Sequence, residues 1–375
     1  MIAEPAGRVA SLDAFRGFAI ASMVLVNNPG DWGHLHAPLD HAQWNGWTFT
    51  DLVFPFFLFA AGMSMAISIE RRARGGDSAG KLMAAIAKRA LVIFAVGLAL
   101  NLFPAFDLST VRIPGVLQRI ALAIVIAAPF AILARTRSIA LAIALLFAVY
   151  TVLMLFVPVP GPDGVAAAGV LEPGRDFGAW LDRRLLDGHL WAKSRTWDPE
   201  GVTSTLPAAC SVLFGVIAGR WLPAERSVLA TSATLLGAGV AALMAGVVLD
   251  AVLMPINKNL WTVAYCVFMT GWSLVVFAVF HAGMDGAPAI GARDAARRIL
   301  LPLTIYGMNA LFIFAFSGFV GRLLVMGGAK GALYAPFQAL PLSPDNASLA
   351  YAIAFDVAMF AVAWAMWKKK WFVKA

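Results

Sequence analysis

The chain has 375 residues, of which 61% are hydrophobic and only 13% are charged, and its mean hydropathy is +0.79. Soluble proteins average roughly 25% charged residues, so this composition excludes an ordinary soluble globular protein and predicts an all-α, polytopic integral membrane protein. The net charge of +8 does not indicate nucleic-acid binding, because the basic residues cluster at helix ends, where orientation and anionic membrane lipid account for them.

Ten apolar segments predict ten membrane-spanning helices in a single transmembrane domain, residues 1–375. No cleavable signal is evident, so the first segment is expected to act as an uncleaved anchor. Cys210 and Cys266 lie in apolar runs and predict neither a disulfide framework nor a metal site. The predicted spans are 12–28, 51–70, 85–103, 114–134, 138–157, 203–221, 228–250, 260–281, 299–321 and 348–367.

Lysine and arginine are distributed very unequally between the two sets of connections. One set, together with both termini, carries most of them, including Arg8, Arg226 and Lys374. The short loops of the other set carry only Arg112, Lys258, Arg322 and Lys330. The positive-inside rule therefore predicts cytoplasmic termini. It places residues 29–50 outside, with an irregular extracytoplasmic cap at 158–202 that contains one short helix near 176–188.

Several polar side chains lie inside the predicted spans, where a charged group costs about 2.5–3.5 kcal/mol on insertion scales. Arg119 lies in the fourth span, Asp356 in the tenth and Asn309 in the ninth, and Asn27 ends the first. We expect them to converge in the outer half of the membrane and to line a polar cavity. The alternative is structural: an Arg119–Asp356 ion pair, with Asn309 in a helix–helix hydrogen bond.

Arg16 lies three residues after Asp13 at the predicted cytoplasmic start of the first span. The two side chains share a helix face, so a local ion pair is one interpretation. The other is that Arg16 binds an anionic cofactor that enters from the cytoplasm.

The segment from His41 to Asp51 places an imidazole, two indoles and a carboxylate directly before the second span. An imidazole exchanges protons near neutral pH. Asp51 or Asn45 could orient the His41 ring, and Trp44 and Trp47 lie between them. This pattern makes His41 a candidate for chemistry at a membrane face, although position alone does not decide between catalysis and a solvated loop histidine.

A series of motifs along almost the whole chain resembles the heparan-α-glucosaminide N-acetyltransferase family of transmembrane acetyltransferases, and its bacterial members in particular. The motifs are RVASLDAFRG (8–17), VN (26–27), HAQWNG (41–46), DLVFPFFLF (51–59), RIPGVLQR (112–119), WDPEGVTSTLP (197–207), PINKNLWT (255–262) and GMNAL (307–311).

The resemblance implies a reaction and two of its residues. The family's lysosomal member moves acetyl from cytoplasmic acetyl-CoA to the amine of a terminal glucosamine across the membrane. Its catalytic histidine matches His41, and an asparagine at its active centre matches Asn27. For this chain the resemblance implies acetyl-CoA as acyl donor, with no metal, and glucosamine or another amino sugar as acceptor. It also implies a bacterial inner membrane and its lipid as the setting.

The roles of the other candidates are hypotheses. Arg16, Arg119, Lys258 and Asn259 are predicted to bind the donor; Arg119, Lys258 and Asn259 could instead contact sugar hydroxyls. Asp51, Trp44, Asn309 and Asp356 are predicted to bind the acceptor. His41 could act as a general base or could carry the acetyl group as acyl-imidazole, and Asn27 could stabilise the oxyanion or position His41.

Two other activities fit parts of the pattern. Ten spans with buried polar residues also suit a sugar transporter, although no inverted repeat is visible. An O-acyltransferase that modifies an extracytoplasmic saccharide would use similar chemistry. A homodimer is one oligomeric state that the sequence leaves open.

Overall fold

A computed structural model of the chain describes residues 9–222, 227–286 and 289–373. Within these ranges the regular secondary structure is helical apart from two-residue strands, β1 (Val159–Pro160) and β2 (Ala166–Ala167), which pair antiparallel. The predicted all-α, polytopic membrane fold is confirmed. Arg8, Arg226 and Lys374, which contributed to the charge count, lie outside the described residues.

Eight of the described helices are long and apolar enough to cross a bilayer individually, and each follows a predicted span. They are α1 (Ala10–Asn27), α2 (Phe49–Arg74), α3 (Ala79–Leu102), α4 (Val116–Leu133), α5 (Thr136–Phe156), α8 (Val228–Val252), α9 (Val263–Met284) and α14 (Pro344–Lys368). The predicted sixth span is the shorter apolar helix α7 (Thr205–Trp221).

The remaining described helices are α6 (Phe177–Leu186), α10 (Ile290–Ile299), α11 (Leu301–Met308), α12 (Ala310–Met326) and α13 (Ala329–Gln338), and a 3₁₀ turn spans Ala37–Leu39. α6 coincides with the short helix predicted near 176–188. We call the end of the bundle that carries residues 28–48 and 157–204 the cap end. The opposite end, where α14 finishes at Lys368, is the C-terminal end.

The ninth predicted span, 299–321, is wrong as a straight helix. α11 and α12 meet at Asn309 with a bend of 82°, which makes the pair either one broken span or a re-entrant loop. The Asn309 side chain donates to the carbonyl of Trp371 at 3.0 Å and accepts from the N–H of Val373 at 2.9 Å. Contacts with a segment about sixty residues away stabilise the break, which is why local apolarity did not reveal it.

Close helix contacts fix the centre of the bundle. A Cβ atom on Gly17 of α1 would lie 1.7 Å from the Leu303 carbonyl oxygen of α11, and one on Gly62 of α2 would lie 2.0 Å from that of Val212 in α7. Small residues permit this approach where helices pack within a membrane. α1 and α2 are each 72% buried inside the protein, whereas α8 is 17% buried and presents most of its apolar surface outward.

The loop before α2 descends into the bundle from the cap end. Phe18 lies nine residues before the end of α1, yet its ring packs 6.4 Å from that of Phe49, the first residue of α2. Trp47 packs 5.2 Å from Phe268 and 5.8 Å from Trp272, in the second and third turns of α9. α2 therefore begins below the level at which α1 ends, and the residues that precede it are recessed.

Candidate active site

The recessed loop pairs His41 with Asp51. His41 Nδ1 lies 2.6 Å from Asp51 Oδ1, and the His41 side chain is 47% exposed whereas that of Asp51 is 1% exposed. Asp51 Oδ2 accepts from the N–H groups of Ala42 and Thr48 and from the Thr48 hydroxyl. A carboxylate only accepts hydrogen bonds, so Nδ1 carries a proton, and in the neutral imidazole Nε2 keeps a lone pair. The geometry suits a base or nucleophile that a buried carboxylate orients.

Local sequence explains why Asp51 is held in place. Thr48 and Asp51 form a capping box at the start of α2, in which each side chain satisfies a backbone N–H of the other residue. The Tyr265 hydroxyl of α9 donates to the Asp51 carbonyl at 2.6 Å. Asp51 therefore acts on the His41 ring from a rigid position, and the alternative orienting residue, Asn45, instead accepts from the Asn257 amide at 3.1 Å.

Trp44 anchors the loop to the cap. Its indole N–H donates to the Leu171 carbonyl at 2.8 Å, and its ring packs 5.2 Å from that of Trp197. These contacts place Trp44 as a support of the loop, against residues that lie far away in sequence.

A cavity with a volume of about 560 Å³ opens near the cap end. It lies between the end of α1, the end of α3, the start of α4 and α12. Asn27, where α1 ends, is in its wall. The other polar and aromatic side chains of the wall are Asn28, Trp32, Asn101, Arg112, Gln118, Phe314, Ser317, Arg322, Lys330, Tyr351 and Phe355. We call it the large cavity.

The structure does not bring His41 and Asn27 into one cavity wall. His41 is absent from the lining of the large cavity, and its half-exposed ring lies beside Asp51 on the recessed loop. The two predicted catalytic residues are linked through residues 28–40, with Trp32 of that segment lining the cavity. A shared active centre for His41 and Asn27 remains a prediction.

Arg112 joins the large cavity to the cap. Its guanidinium contacts Asp198 at 2.5 and 2.8 Å and Glu200 at 2.5 Å. Burial opposes ionisation of Glu200, but the charges of Arg112 and Lys258 outweigh it and lower the pKa of Glu200 to about 2. Glu200 is therefore ionised at neutral pH, and Arg112 is a compensated cation that pairs with both side chains.

Arg119 does not form the ion pair with Asp356 that was one interpretation. It is 1% exposed, stacks 5.2 Å over the Trp261 ring, and donates to Ser204 and to the Gly201 carbonyl. Its Nε and Nη1 atoms have no hydrogen-bond partner among the described residues. Arg119 holds the loop that carries Glu200, and it is not in the wall of the large cavity.

Lys258 and Asn259 lie in the turn between α8 and α9, on the cap side of the loop. Asn259 lines a small cavity of about 20 Å³ together with Asp182 and Asp198 of the cap. The Lys258 charge reaches Glu200, whose pKa it lowers. Neither side chain lines the large cavity, so their predicted role in donor binding gains no geometric support there.

Asn309 and Asp356 do not converge with the other candidates, so the expectation that they line a shared cavity near the cap end is wrong. Asn309 binds the backbone of the segment that follows α14, at the C-terminal end. Asp356, in the middle of α14, accepts from the Tyr306 hydroxyl at 2.6 Å. For Asn309 the expectation failed because depth was assigned along a straight span, whereas the chain bends at this residue.

A second cavity, of about 100 Å³, lies near the C-terminal end between α1, α2, α3 and α4. Arg16, Arg72 and Arg89 contribute to its wall, as do Ser64 and Ser68, and the rest of the wall is apolar. Arg16 also lies 3.6 Å from Asp13, so the local ion pair and a position beside a cavity are both present. We call this the arginine cavity.

The two cavities are stacked along the same helices. Gly97 lines the large cavity and Ile93 the arginine cavity, four residues apart on α3. The corresponding pairs are Leu117 with Ile120 on α4 and Phe314 with Leu311 on α12. At 1.5 Å per residue these separations are about 4.5–6 Å along each helix. One layer of apolar side chains therefore separates the arginine cavity from the large cavity.

Sequence reasoning missed several side chains of these walls. Arg72 and Arg89 resemble ordinary cytoplasmic charges, and nothing local distinguishes them. Gln118 is 3% exposed, and its amide nitrogen lacks a partner among the described residues. Its position inside the motif at 112–119 was the available signal. Arg322 and Lys330 stood out only as basic residues on the less basic face.

Comparison with known proteins agrees with the motifs. Residues 8–175 match the family model described as heparan-alpha-glucosaminide N-acetyltransferase, catalytic. Heparan-alpha-glucosaminide N-acetyltransferase from Mus musculus is 29% identical over 330 residues, covering 75% of this chain and 50% of the relative. The Homo sapiens protein of that name is 29% identical over 334 residues, covering 74% and 49%. The chain thus spans about half the length of these relatives, and it is similar to the heparan-alpha-glucosaminide N-acetyltransferase family in the family-model match and in both relatives.

Proposed function

We propose that the protein is a transmembrane acetyltransferase that moves acetyl from acetyl-CoA at its C-terminal end to the amine of an amino sugar at its cap end. In this proposal the C-terminal end is cytoplasmic, as the excess of lysine and arginine there predicts. The acceptor is glucosamine or a related amino sugar. The membrane is the inner membrane of a bacterium.

The observation that carries the proposal is the stacking of the two cavities. The hydrocarbon layer of a membrane is about 30 Å thick, and the donor and acceptor approach from opposite sides of it. The arginine cavity offers three cationic side chains beside a narrow apolar space, which suits phosphates followed by a thin acyl-bearing arm. The large cavity offers a wider polar space, which suits a sugar.

One layer of apolar side chains separates the two cavities, and we call it the septum. The septum must open for the acyl-bearing arm of the donor to reach the acceptor. Leu311 and Phe314 of the septum follow directly after the break at Asn309, whereas the tightly packed Gly17 and Leu303 hold α11 against α1. A movement of α12 about the break would join the cavities without disturbing the centre of the bundle. The sugar itself does not cross the membrane.

His41 supplies the proton chemistry in this proposal. The nitrogen of the acceptor amine attacks the thioester carbonyl carbon, and Nε2 of His41 accepts a proton from that amine. The C–S bond then breaks, and the imidazolium returns the proton to the CoA thiolate. Asp51 positions the ring and stabilises the imidazolium, since its carboxylate lies 2.6 Å from Nδ1. A two-step route in which Nε2 carries the acetyl group uses the same geometry.

Asn27 and Gln118 are the proposed polar contacts of the reacting groups. Both line the large cavity, and the Gln118 amide nitrogen is a buried donor without a partner among the described residues. An unpaired buried donor costs about 1–3 kcal/mol, which a bound carbonyl or hydroxyl oxygen would recover. Donors of this kind stabilise a tetrahedral oxyanion. Trp32, which is 56% exposed at the same cavity, offers a face for the sugar ring.

The test uses purified protein in sealed lipid vesicles of known orientation. Radiolabelled acetyl-CoA is supplied on the side of the C-terminal end, and glucosamine on the side of the cap end. The proposal expects labelled N-acetylglucosamine on the cap side only, with no unmodified sugar crossing. Movement of sugar without acetylation would replace the proposal with a transporter. Acetylation of neutral sugars at a hydroxyl, identified by mass spectrometry, would replace it with an O-acyltransferase.

A further inference from the structure

Apart from those of the cap, most basic residues of the less basic face lie in one place. The short loops and helix ends of that face carry only four lysines and arginines, Arg112, Lys258, Arg322 and Lys330. Arg112, Arg322 and Lys330 all line the large cavity, although they come from different parts of the chain. No aspartate or glutamate is among the residues that line it. Membrane orientation gives no reason for this concentration, because the positive-inside rule acts against it.

The three cations differ in how their charge is compensated. Arg112 is bound by Asp198 and Glu200. Arg322 has only a hydrogen bond of 3.1 Å to the Gly318 carbonyl of its own helix, and no carboxylate of the described chain lies within ion-pair distance of it or of Lys330. Two partly buried cations of the wall therefore lack an anion.

The environment of Lys330 is consistent with a missing anion. Burial lowers the pKa of the Lys330 ammonium, and the nearby Asp31 only partly offsets that effect. Asp31 itself is occupied, since it accepts from the Gly33 N–H at 2.8 Å and lies 2.9 Å from His34. An anionic ligand in the large cavity would restore the stability that the partly buried ammonium has lost.

We propose that Arg322 and Lys330 determine acceptor specificity by binding an anionic substituent of the amino sugar, a phosphate, sulfate or carboxylate. This inference rests on the proposed function and narrows its substrate class from amino sugars to negatively charged ones. Arg322 offers a planar fork of donors, which suits tetrahedral oxyanions and carboxylates, and Lys330 adds a compact charge. Both residues lie outside the segment 8–175 that matches the family model.

The donor is also anionic, so its phosphates are the competing source of the negative charge. Arg16, Arg72 and Arg89 line the other cavity and offer the donor a separate set of cations. The two sources are separated by measuring KM for each substrate. If Arg322 and Lys330 bind the acceptor, their loss raises the KM of charged acceptors and leaves that of acetyl-CoA unchanged.

The experiment compares acceptors with the same amine and different charge. Purified protein in lipid nanodiscs is assayed with glucosamine, glucosamine 6-phosphate and glucosamine 6-sulfate at fixed acetyl-CoA. We expect kcat/KM of the wild-type protein to be at least about tenfold higher for a charged acceptor than for glucosamine, in the range that charge-assisted contacts provide. Arg322→Gln and Lys330→Gln should each lower kcat/KM about fivefold or more for the charged acceptor. For glucosamine, each should lower kcat/KM less than about twofold.

Arg184→Gln is the matched control, because Arg184 is an exposed cation of the cap that stacks on Trp180 and does not line the cavity. The inference is overturned if kcat/KM for glucosamine equals that for its charged derivatives. It is also overturned if the two variants affect all acceptors equally, or raise the KM of acetyl-CoA instead. If no amino sugar is acetylated at all, the proposed function fails, which is a different result.

Discussion

The large cavity and the arginine cavity are built from the same helices but differ in almost every physical property. The large cavity is about 560 Å³, is rich in amide and aromatic side chains, and contains both a compensated and two uncompensated cations. The arginine cavity is about 100 Å³, and apart from its arginines and two serines its wall is apolar. Two cavities that differ so much suit two different substrates better than one solute that crosses the membrane through both.

The comparison also separates two kinds of basic residue. At the C-terminal end, lysines and arginines are abundant, as orientation in the membrane requires. There, a basic residue that binds a ligand differs from one that only sets the membrane orientation in one respect: it lies beside a cavity. At the cap end, basic residues of the short loops are few, and three of four line the cavity, so rarity itself is informative.

The largest effect should come from His41. Replacement by alanine removes the proposed base, and general base catalysis typically contributes about 10²–10⁴-fold. We expect His41→Ala to lower kcat for acetyl transfer by that amount in reconstituted protein, with little change in the KM of acetyl-CoA. The ring is exposed on one side and lies in a loop, so the fold should survive, which circular dichroism and size-exclusion chromatography would verify.

Asn27→Ala is the informative partner of that variant, because Asn27 lines the large cavity and His41 does not. If both variants lose activity, the recessed loop and the cavity act on the same reacting atoms. If His41→Ala keeps full activity while Asn27→Ala loses it, the chemistry belongs to the large cavity alone, and His41 is excluded as the catalyst.

A smaller effect is expected from neighbouring charges on α3. Arg89 lines the arginine cavity, whereas the preceding Lys88 does not. We expect Arg89→Gln to raise the KM of acetyl-CoA about fivefold to tenfold, since a charged hydrogen bond is worth about 1.5–3 kcal/mol before solvent screening reduces it at this exposed side chain. Lys88→Gln makes the same change of charge one residue away and should alter KM less than about twofold.

The donor S-acetylpantetheine, which lacks the nucleotide and its phosphates, sharpens this prediction. Arg89→Gln should leave its KM unchanged if the arginine binds phosphates. Equal losses with both donors, or equal effects of Arg89→Gln and Lys88→Gln, would show that the arginine cavity is not the phosphate site. The two cavities would then no longer be assigned to different substrates.

The fold was largely predictable because apolar runs report where the chain crosses a membrane. The His41–Asp51 pair was also predictable, since the two residues are ten apart and flank one helix start. The break at Asn309 was not, because residues 371 and 373 stabilise it. The walls of the cavities were not either: Arg72, Arg89, Arg322 and Lys330 reach them through tertiary packing, and no local pattern records that packing.

The smallest predicted effect concerns stability of the cap beside the large cavity. Asp182 accepts from the Val202 N–H at 2.9 Å, next to the loop that carries Glu200 and Arg119's partner Ser204. Burial raises the pKa of Asp182 from its ordinary range to about 7, despite that hydrogen bond. The folded state therefore holds a proton that the unfolded state, with an ordinary carboxyl pKa near 4, releases earlier as pH rises.

This difference fixes the sign of the pH dependence. Through Asp182, the free energy of unfolding falls as pH rises from about 4 to about 7 and is constant above that, where both states are ionised. Asp182→Asn keeps an acceptor for Val202 and removes the ionisation. We expect it to raise the midpoint of thermal unfolding by a few degrees at pH 8 and to leave it unchanged at pH 4, below both pKa values.

Asp163→Asn provides the matched control, since Asp163 is an exposed cap carboxylate that pairs loosely with Arg175 at 3.5 Å. It should not change the difference in unfolding midpoint between pH 4 and pH 8. A lower unfolding midpoint of Asp182→Asn at pH 8 would contradict the prediction. It would mean that the ionised Asp182 carboxylate stabilises the loop although it is buried. A higher unfolding midpoint of Asp182→Asn at pH 8 would show that the buried charge of Asp182 destabilises the cap. Asp198 and Glu200 differ in this respect, because Arg112 compensates their charges.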